Sequence, residues 1–139
     1  MSLTNLGTLG GTEVIQVLLE SDTSSVSILS YGAITKSWGV KAGGRTVPIL
    51  LGFDKLESYQ ADKSFMGIIA GRVANRTKNG QCIINGLEYS FALNDYPHHL
   101  HGGEFGFGKQ HWNLDFDSQS GTVQLRRVST DLEEGYPGT

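Results

Sequence analysis

The chain has 139 residues, 38% of them hydrophobic and 18% charged, which suits one globular domain with a core and excludes a disordered chain. Its formal charge is −3 with no cluster of lysine and arginine, which argues against nucleic acid or an anionic membrane as partner, because such binding needs grouped cations. The single cysteine, Cys82, excludes an internal disulfide and a thiolate metal cage.

Residues 1–11 are polar and lack the basic region of a secretory leader. No apolar run approaches the roughly 20 residues that span a bilayer, so a cytoplasmic protein is expected. The 19 glycines against three prolines predict many turns between short elements, the punctuation of an all-β chain. Val26 and Ile28 alternate with Ser25 and Ser27, which predicts a strand; Ile34, Lys36, Trp38 and Val40 share the parity of a second. Residues 46–51 read as a short strand and residues 55–59 as one helical turn. The clearest element is a hairpin over residues 81–91, turning at Asn85-Gly86, since Asn-Gly supplies both positive-φ positions of a type I′ turn. Cys82 is expected there as a small buried hydrophobe. Residues 111–116 and 122–128 predict a further strand pair. Beyond it the chain closes on Tyr136-Pro137-Gly138-Thr139, a turn signal with no strand to follow, as though the sheet continued in a longer protein.

Three segments carry candidate chemistry. In Gly71-Arg72-Val73-Ala74-Asn75-Arg76, an arginine fork and an amide can grip vicinal hydroxyls or a carboxylate; an exposed Gly-Arg turn is the plainer explanation. In Pro97-His98-His99-Leu100-His101-Gly102-Gly103-Glu104, an extended backbone would put His99 and His101 on one face and His98 on the other. Two imidazoles on one face suit acid–base work or metal ligation. With Glu104 they would also suit a small metal-dependent barrel of the cupin kind, although the remaining His111 stands too near to complete such a site. A solvated histidine cluster is the structural alternative. Phe105-Gly106-Phe107-Gly108 with Trp112 can stack on a sugar face or simply fill a core. Glu104, Glu133 and Glu134 read as solvated surface without a role.

Taken in order, Leu51-Gly52-Phe53-Asp54, Tyr59, Gly71-Arg72-Val73-Ala74-Asn75-Arg76, Leu100-His101-Gly102-Gly103, Gly106-Phe107, Trp112 and the Glu133-Glu134-Gly135-Tyr136-Pro137-Gly138 tail resemble the aldose 1-epimerase (galactose mutarotase) family. The resemblance implies an all-β, antiparallel β-sandwich, part of a galactose-mutarotase-like β-supersandwich. It implies interconversion of the α and β anomers of free aldoses such as glucose or galactose, with no metal and no organic cofactor. Arg76, Asn75 and His101 are then the sugar-binding residues and His101 the catalytic one, with a small aldose as partner. Two positions depart from the family: His99 stands where Asn or Ser is common, and Thr77 replaces an apolar residue after the arginine. The family's principal acid histidine and glutamate base would follow position 139. The resemblance therefore implies that residues 1–139 are the N-terminal part of a single mutarotase-like domain holding half of the site. The alternative is a catalytically silent carbohydrate-binding module.

Overall fold

The first twenty residues form a hairpin that no simple apolar–polar alternation announces. In the computed structural model, which describes residues 1–139, β1 (Ser2–Leu9) pairs antiparallel with β2 (Thr12–Glu20) across Gly10 and Gly11, both at positive φ. β2 is covered on both faces, at Val14 on one and Val17 on the other, both fully buried, while β1 at the sheet edge buries Leu9 alone and lies largely open to water. A strand half open to water can stay polar on the open side. β3 (Ser24–Leu29), β4 (Thr35–Ala42) and β5 (Arg45–Pro48) continue the antiparallel sheet in the order β1-β2-β3-β4-β5.

The shared parity expected for Ile34, Lys36, Trp38 and Val40 does not hold. Ser27 pairs with Ser37 and Ile28 with Thr35, so Lys36 is the extra residue of a bulge. One inserted residue exchanges the two faces of a strand. Ile34 is therefore fully buried and Trp38 is 44% exposed. The strand expected over residues 46–51 starts at Arg45 and ends at Pro48; the Ile49 N–H still donates to the Trp38 carbonyl at 2.9 Å, but Leu51 beyond it is 78% exposed.

The chain packs as two compact units, Met1–Ile69 with His111–Arg127, and Ala70–Gln110 with Val128–Thr139. The core of the first gathers Leu9, Val14, Leu29, Tyr31, Ile34 and Tyr59. Helix α1 (Leu56–Ala61) delivers Tyr59, whose hydroxyl accepts the Phe53 N–H at 2.8 Å. A side chain at Gly52 would strike the Lys36 carbonyl and that hydroxyl, which accounts for the glycine of the Leu51-Gly52-Phe53-Asp54 motif. The second expected strand pair is present, its strands one or two residues shorter: it starts after His111 and stops before Val128.

The second unit holds β6 (Arg76–Thr77), β7 (Gln81–Ile84), β8 (Leu87–Ser90) and β9 (His99–Leu100). β10 (Asn113–Asp117) and β11 (Thr122–Arg126), the pair just described, belong to the first unit. The β7–β8 hairpin turns at Asn85 and Gly86, both at positive φ, as the Asn-Gly signal predicts. Cys82 lies on its inner face but is only half-buried, since a two-stranded ribbon gives a small side chain incomplete cover. The buried residues of this unit other than glycines are Phe91, His99, Leu100 and Tyr136. Every sheet is antiparallel and the single α-helix has six residues, so the all-β expectation holds.

Burial raises the phenols of Tyr31 and Tyr59 above the ordinary 10.0; for Tyr59, the nearby Asp54 and Asp62 charges add to this and the Phe53 N–H opposes it. The folded state then holds phenolic protons that the unfolded chain has already lost. The stability they contribute is intact below about pH 10 and declines as pH rises through the folded-state values. In an alkaline titration, the tyrosinate absorbance of these two residues should appear together with loss of the near-ultraviolet circular dichroism, not ahead of it.

Candidate sugar-binding site

Two residues on each of two strands form the frame of the site. Arg76 faces Leu100 and Thr77 faces His99. One step further, the His101 N–H donates to the Asn75 carbonyl at 3.1 Å, and the Asn75 N–H donates to Nδ1 of His101 at 3.0 Å. Asn75 and His101 both have positive φ, so the backbone turns out of the ladder on both sides at the same level. Asn75 also accepts the Arg76 N–H on its own Oδ1 at 2.9 Å. The three residues expected to bind sugar are thus joined in one unit by backbone and side-chain bonds.

That turn separates the histidines. His99 stays in β9 and is fully buried, its Nδ1 against the Ala92 carbonyl at 2.7 Å and its Nε2 against the Tyr136 hydroxyl at 2.8 Å. The Phe91 ring lies 5.0 Å away, centre to centre. His101 has left the strand and is half-buried. The common face expected for His99 and His101 is therefore not formed, because His101 is no longer extended. With both ring nitrogens of His99 engaged, the pairing required for a cupin-like metal site is lost. His98 accepts the Asn79 N–H on Nδ1 at 3.2 Å.

Since Nδ1 of His101 accepts a hydrogen bond, the neutral ring carries its proton on Nε2. The imidazole then offers an N–H donor to an oxygen. Beside it, Nε of Arg76 donates to Oδ2 of Asp95 at 2.6 Å, with the arginine side chain 53% exposed. A guanidinium, a primary amide and an imidazole N–H together form a donor-rich set suited to hydroxyl and ether oxygens.

Arg72 is not part of it. Its Nε donates to the Ser129 hydroxyl at 2.7 Å, Nη1 to the Pro137 carbonyl at 3.0 Å, and Nη2 to the carbonyls of Ser129 and Thr130 at 2.9 and 2.8 Å. The fork that looked suited to a ligand holds the C-terminal segment instead. The tail acids also have partners: Glu134 accepts the Phe105 N–H at 3.2 Å, and Glu133 accepts the Ser129 hydroxyl. Phe107 covers Gly71 so closely that any side chain there would overlap its ring, while Phe105 is 64% exposed. Gly102 lies against the Gly71 carbonyl in the same way.

Two residues that shape the site carry no obvious sequence signal. The side-chain amide of Asn94 accepts the Leu100 N–H at 2.8 Å and donates to the Leu100 carbonyl at 2.9 Å, completing the outer edge of β9 as a neighbouring strand would. Asp95 and His98 exchange both backbone bonds, at 3.1 and 2.8 Å, around Tyr96-Pro97. The Asn94-Asp95-Tyr96-Pro97 string announces a turn, but nothing in it announces a bond to Arg76. In the first unit, a cavity of about 300 Å³ lined by Leu3, Thr4, Asn5, Ile15, Leu114 and Phe116 holds no ionisable side chain and cannot perform proton transfer.

The family model described as aldose 1-epimerase matches residues 16–139. The chain belongs to the aldose 1-epimerase family. It is similar to the galactose mutarotase of Bos taurus, with 42% identity over 131 residues, covering 94% of this chain and 38% of the relative. The Homo sapiens galactose mutarotase is 42% identical over 130 residues, covering 93% and 37%. An aldose 1-epimerase of Haemophilus influenzae is 34% identical over 113 residues, covering 81% and 32%. Among solved structures, a galactose 1-epimerase from Lactobacillus acidophilus superposes with a TM-score of 0.78 at 26% identity, covering 99% of this chain and 41% of that one. An aldose epimerase homologue from C. elegans gives a TM-score of 0.80 at 27% identity, covering 88% and 39%. The chain therefore spans about 38% of the length of the curated relatives it matches. The all-β antiparallel architecture is that of solved aldose epimerases.

In this aldose 1-epimerase family member, Asn94 supports the site through the buried Leu100. Asn94→Ala leaves the Leu100 N–H without its partner and its carbonyl with the Gly103 N–H alone, and should cost about 1–3 kcal/mol. Asn94→Asp keeps the acceptor alone and should fall between the two. Urea unfolding monitored by tryptophan fluorescence measures both; equal stability of all three proteins would remove Asn94 from the framework.

Proposed function

We propose that the protein is an aldose 1-epimerase acting on free aldoses such as glucose or galactose. Arg76 and Asn75 bind the pyranose, and His101 both binds it and assists proton transfer. The observation that carries this reading is the Asn75 N–H to His101 Nδ1 bond, which fixes the imidazole proton on Nε2 within the same short ladder that bears Arg76. Membership of the family supports the reaction class.

A pyranose is a cyclic hemiacetal. Changing its anomer requires removal of the anomeric hydroxyl proton, cleavage of the bond between the anomeric carbon and the ring oxygen, and protonation of that oxygen. The open-chain aldehyde then turns its carbonyl and recloses on the other face. The sequence moves protons and one carbon–oxygen bond without oxidation or reduction, so proton donors and acceptors suffice. The Nε2–H of His101 donates toward the ring oxygen as negative charge gathers there. Arg76 and Asn75 hold hydroxyls through charged and neutral hydrogen bonds. A carboxylate base does not emerge from the tail, since Glu133 and Glu134 are committed to Ser129 and Phe105. In this reading residues 1–139 are the N-terminal part of a single mutarotase-like domain and supply the recognition half of its site. The match to about 38% of a longer relative supports that assignment. No helix is long and apolar enough to cross a membrane, and we take the protein as cytoplasmic.

Polarimetry of freshly dissolved α-galactose and α-glucose with the full-length protein tests the activity. His101→Asn keeps an acceptor for the Asn75 N–H but removes the Nε2 donor, and should lower kcat by about 10²–10⁴-fold. Arg76→Ala should act mainly on KM, raising it by roughly 10–100-fold for the loss of charged hydrogen bonds. Sugar binding by the full-length protein without any acceleration of mutarotation would identify a silent carbohydrate-binding module instead.

A further inference from the structure

We propose that Asp95 sets the charge selectivity of the site: its carboxylate aims Arg76 and restricts binding to neutral aldoses, disfavouring uronates and sugar phosphates. The proposal rests on the sugar-binding reading above and deepens it.

An isolated arginine is a poor discriminator against anions. Its planar fork matches carboxylate and phosphate in a two-bond geometry, and its full charge favours them over a hydroxyl. Arg76 is exposed enough to receive a ligand, yet its charge is already compensated. Oδ2 of Asp95 takes the Nε proton at 2.6 Å, and the two side chains are 53% and 36% exposed. The acceptor occupies the Nε side of the guanidinium and leaves the Nη edge for the ligand. A hydroxyl oxygen loses nothing by approaching that edge. A carboxylate or phosphate brings its own charge close to that of Asp95, a repulsion that surface water and salt reduce but do not remove.

The pairing is built from the backbone outward. Asp95 and His98 exchange two backbone hydrogen bonds across the Tyr96-Pro97 turn, at 3.1 and 2.8 Å. The preceding residue, Asn94, is fastened to both polar groups of Leu100, which itself faces Arg76 across the ladder. The carboxylate is thus held by the same strand pair that holds the guanidinium. The histidines nearby in sequence are committed through Nδ1, His98 to the Asn79 N–H, His99 to the Ala92 carbonyl and His101 to the Asn75 N–H. Asp95 is a positioning residue in this scheme; it acts through Arg76 and need not touch the sugar.

The experiment compares galactose with galacturonate in the full-length protein, measuring kcat/KM by polarimetry and affinity by calorimetry. Asp95→Asn removes the charge with little change of shape. It should move the galacturonate-to-galactose ratio about tenfold toward the acid at low salt, less at high salt. Asp95→Glu, which restores the charge, should return the ratio toward the wild-type value. In an Arg76→Ala background, Asp95→Asn should move the ratio less, because only the direct repulsion of the acid by Asp95 remains, whereas a merely structural role would shift stability in both backgrounds and selectivity in neither. An unchanged ratio in Asp95→Asn, or the same shift without Arg76, overturns the proposal. Should Asp95→Asn fail to fold, Asp95→Ser reports the same ratio. A wild-type protein that binds galactose without turning it over defeats the epimerase reading alone, because the calorimetric ratio still decides the role of Asp95. Binding of neither sugar defeats both.

Discussion

The candidate site depends on the double bond of attachment between Asn75 and His101, a peptide N–H to carbonyl contact in one direction and a peptide N–H to imidazole contact in the other. A ladder of two residues per strand is too short to hold itself in water. Here it is lengthened by a side chain at one end and braced by another along its edge, where Asn94 serves Leu100 as a strand would. The same contact sets the tautomer of His101, so that framework and proton chemistry share one bond. Loss of the β6–β9 register would therefore disturb recognition and proton placement together.

Three histidines within four positions have three separate fates, decided by what each ring nitrogen meets. His99 is enclosed by Ala92, Tyr136 and Phe91 and belongs to the core. His98 anchors a turn through the Asn79 amide. His101, turned out of the strand, is half-buried and accepts the Asn75 N–H on Nδ1. The arginines divide in a comparable way. Arg72 spends its donors on the chain's own carbonyls, whereas Arg76 meets a single carboxylate at the surface. An exposed ion pair of this kind contributes about 0–1 kcal/mol to folding. Its value lies in direction and charge balance, not in stability.

Local chemistry was legible where a short stretch of sequence dictates the backbone. Asn85-Gly86 specifies a turn whatever surrounds it, and the glycine count points to strands with frequent reversals. Strand β1 was not legible, because an edge strand open to water needs few apolar residues, and β2 was not legible because, buried at Val14 on one face and Val17 on the other, it lacks the alternation of a half-open strand. The parity of Ile34 through Val40 misled for another reason: the bulge at Lys36 is set by pairing with β3, which the segment itself cannot encode visibly. At the site, Arg76, Asn75 and His101 emerged from motif resemblance, and the structure joins them. Arg72 and Arg76 could not be told apart by type or spacing, since what separates them lies in the C-terminal segment for one and in Asp95 for the other. Asp95 itself was invisible, being a turn residue whose partner lies 19 positions back in the chain.

The fastening of the C-terminal segment by Arg72 has a consequence for behaviour in acid. Its acceptors are three backbone carbonyls and one hydroxyl, none of which gains a proton as a solution is acidified through the carboxylate range. The guanidinium retains its charge throughout. The clasp over the tail thus outlasts attachments made through aspartate or glutamate, and the tail that carries Tyr136 to His99 remains anchored under conditions where ordinary ion pairs have dissolved.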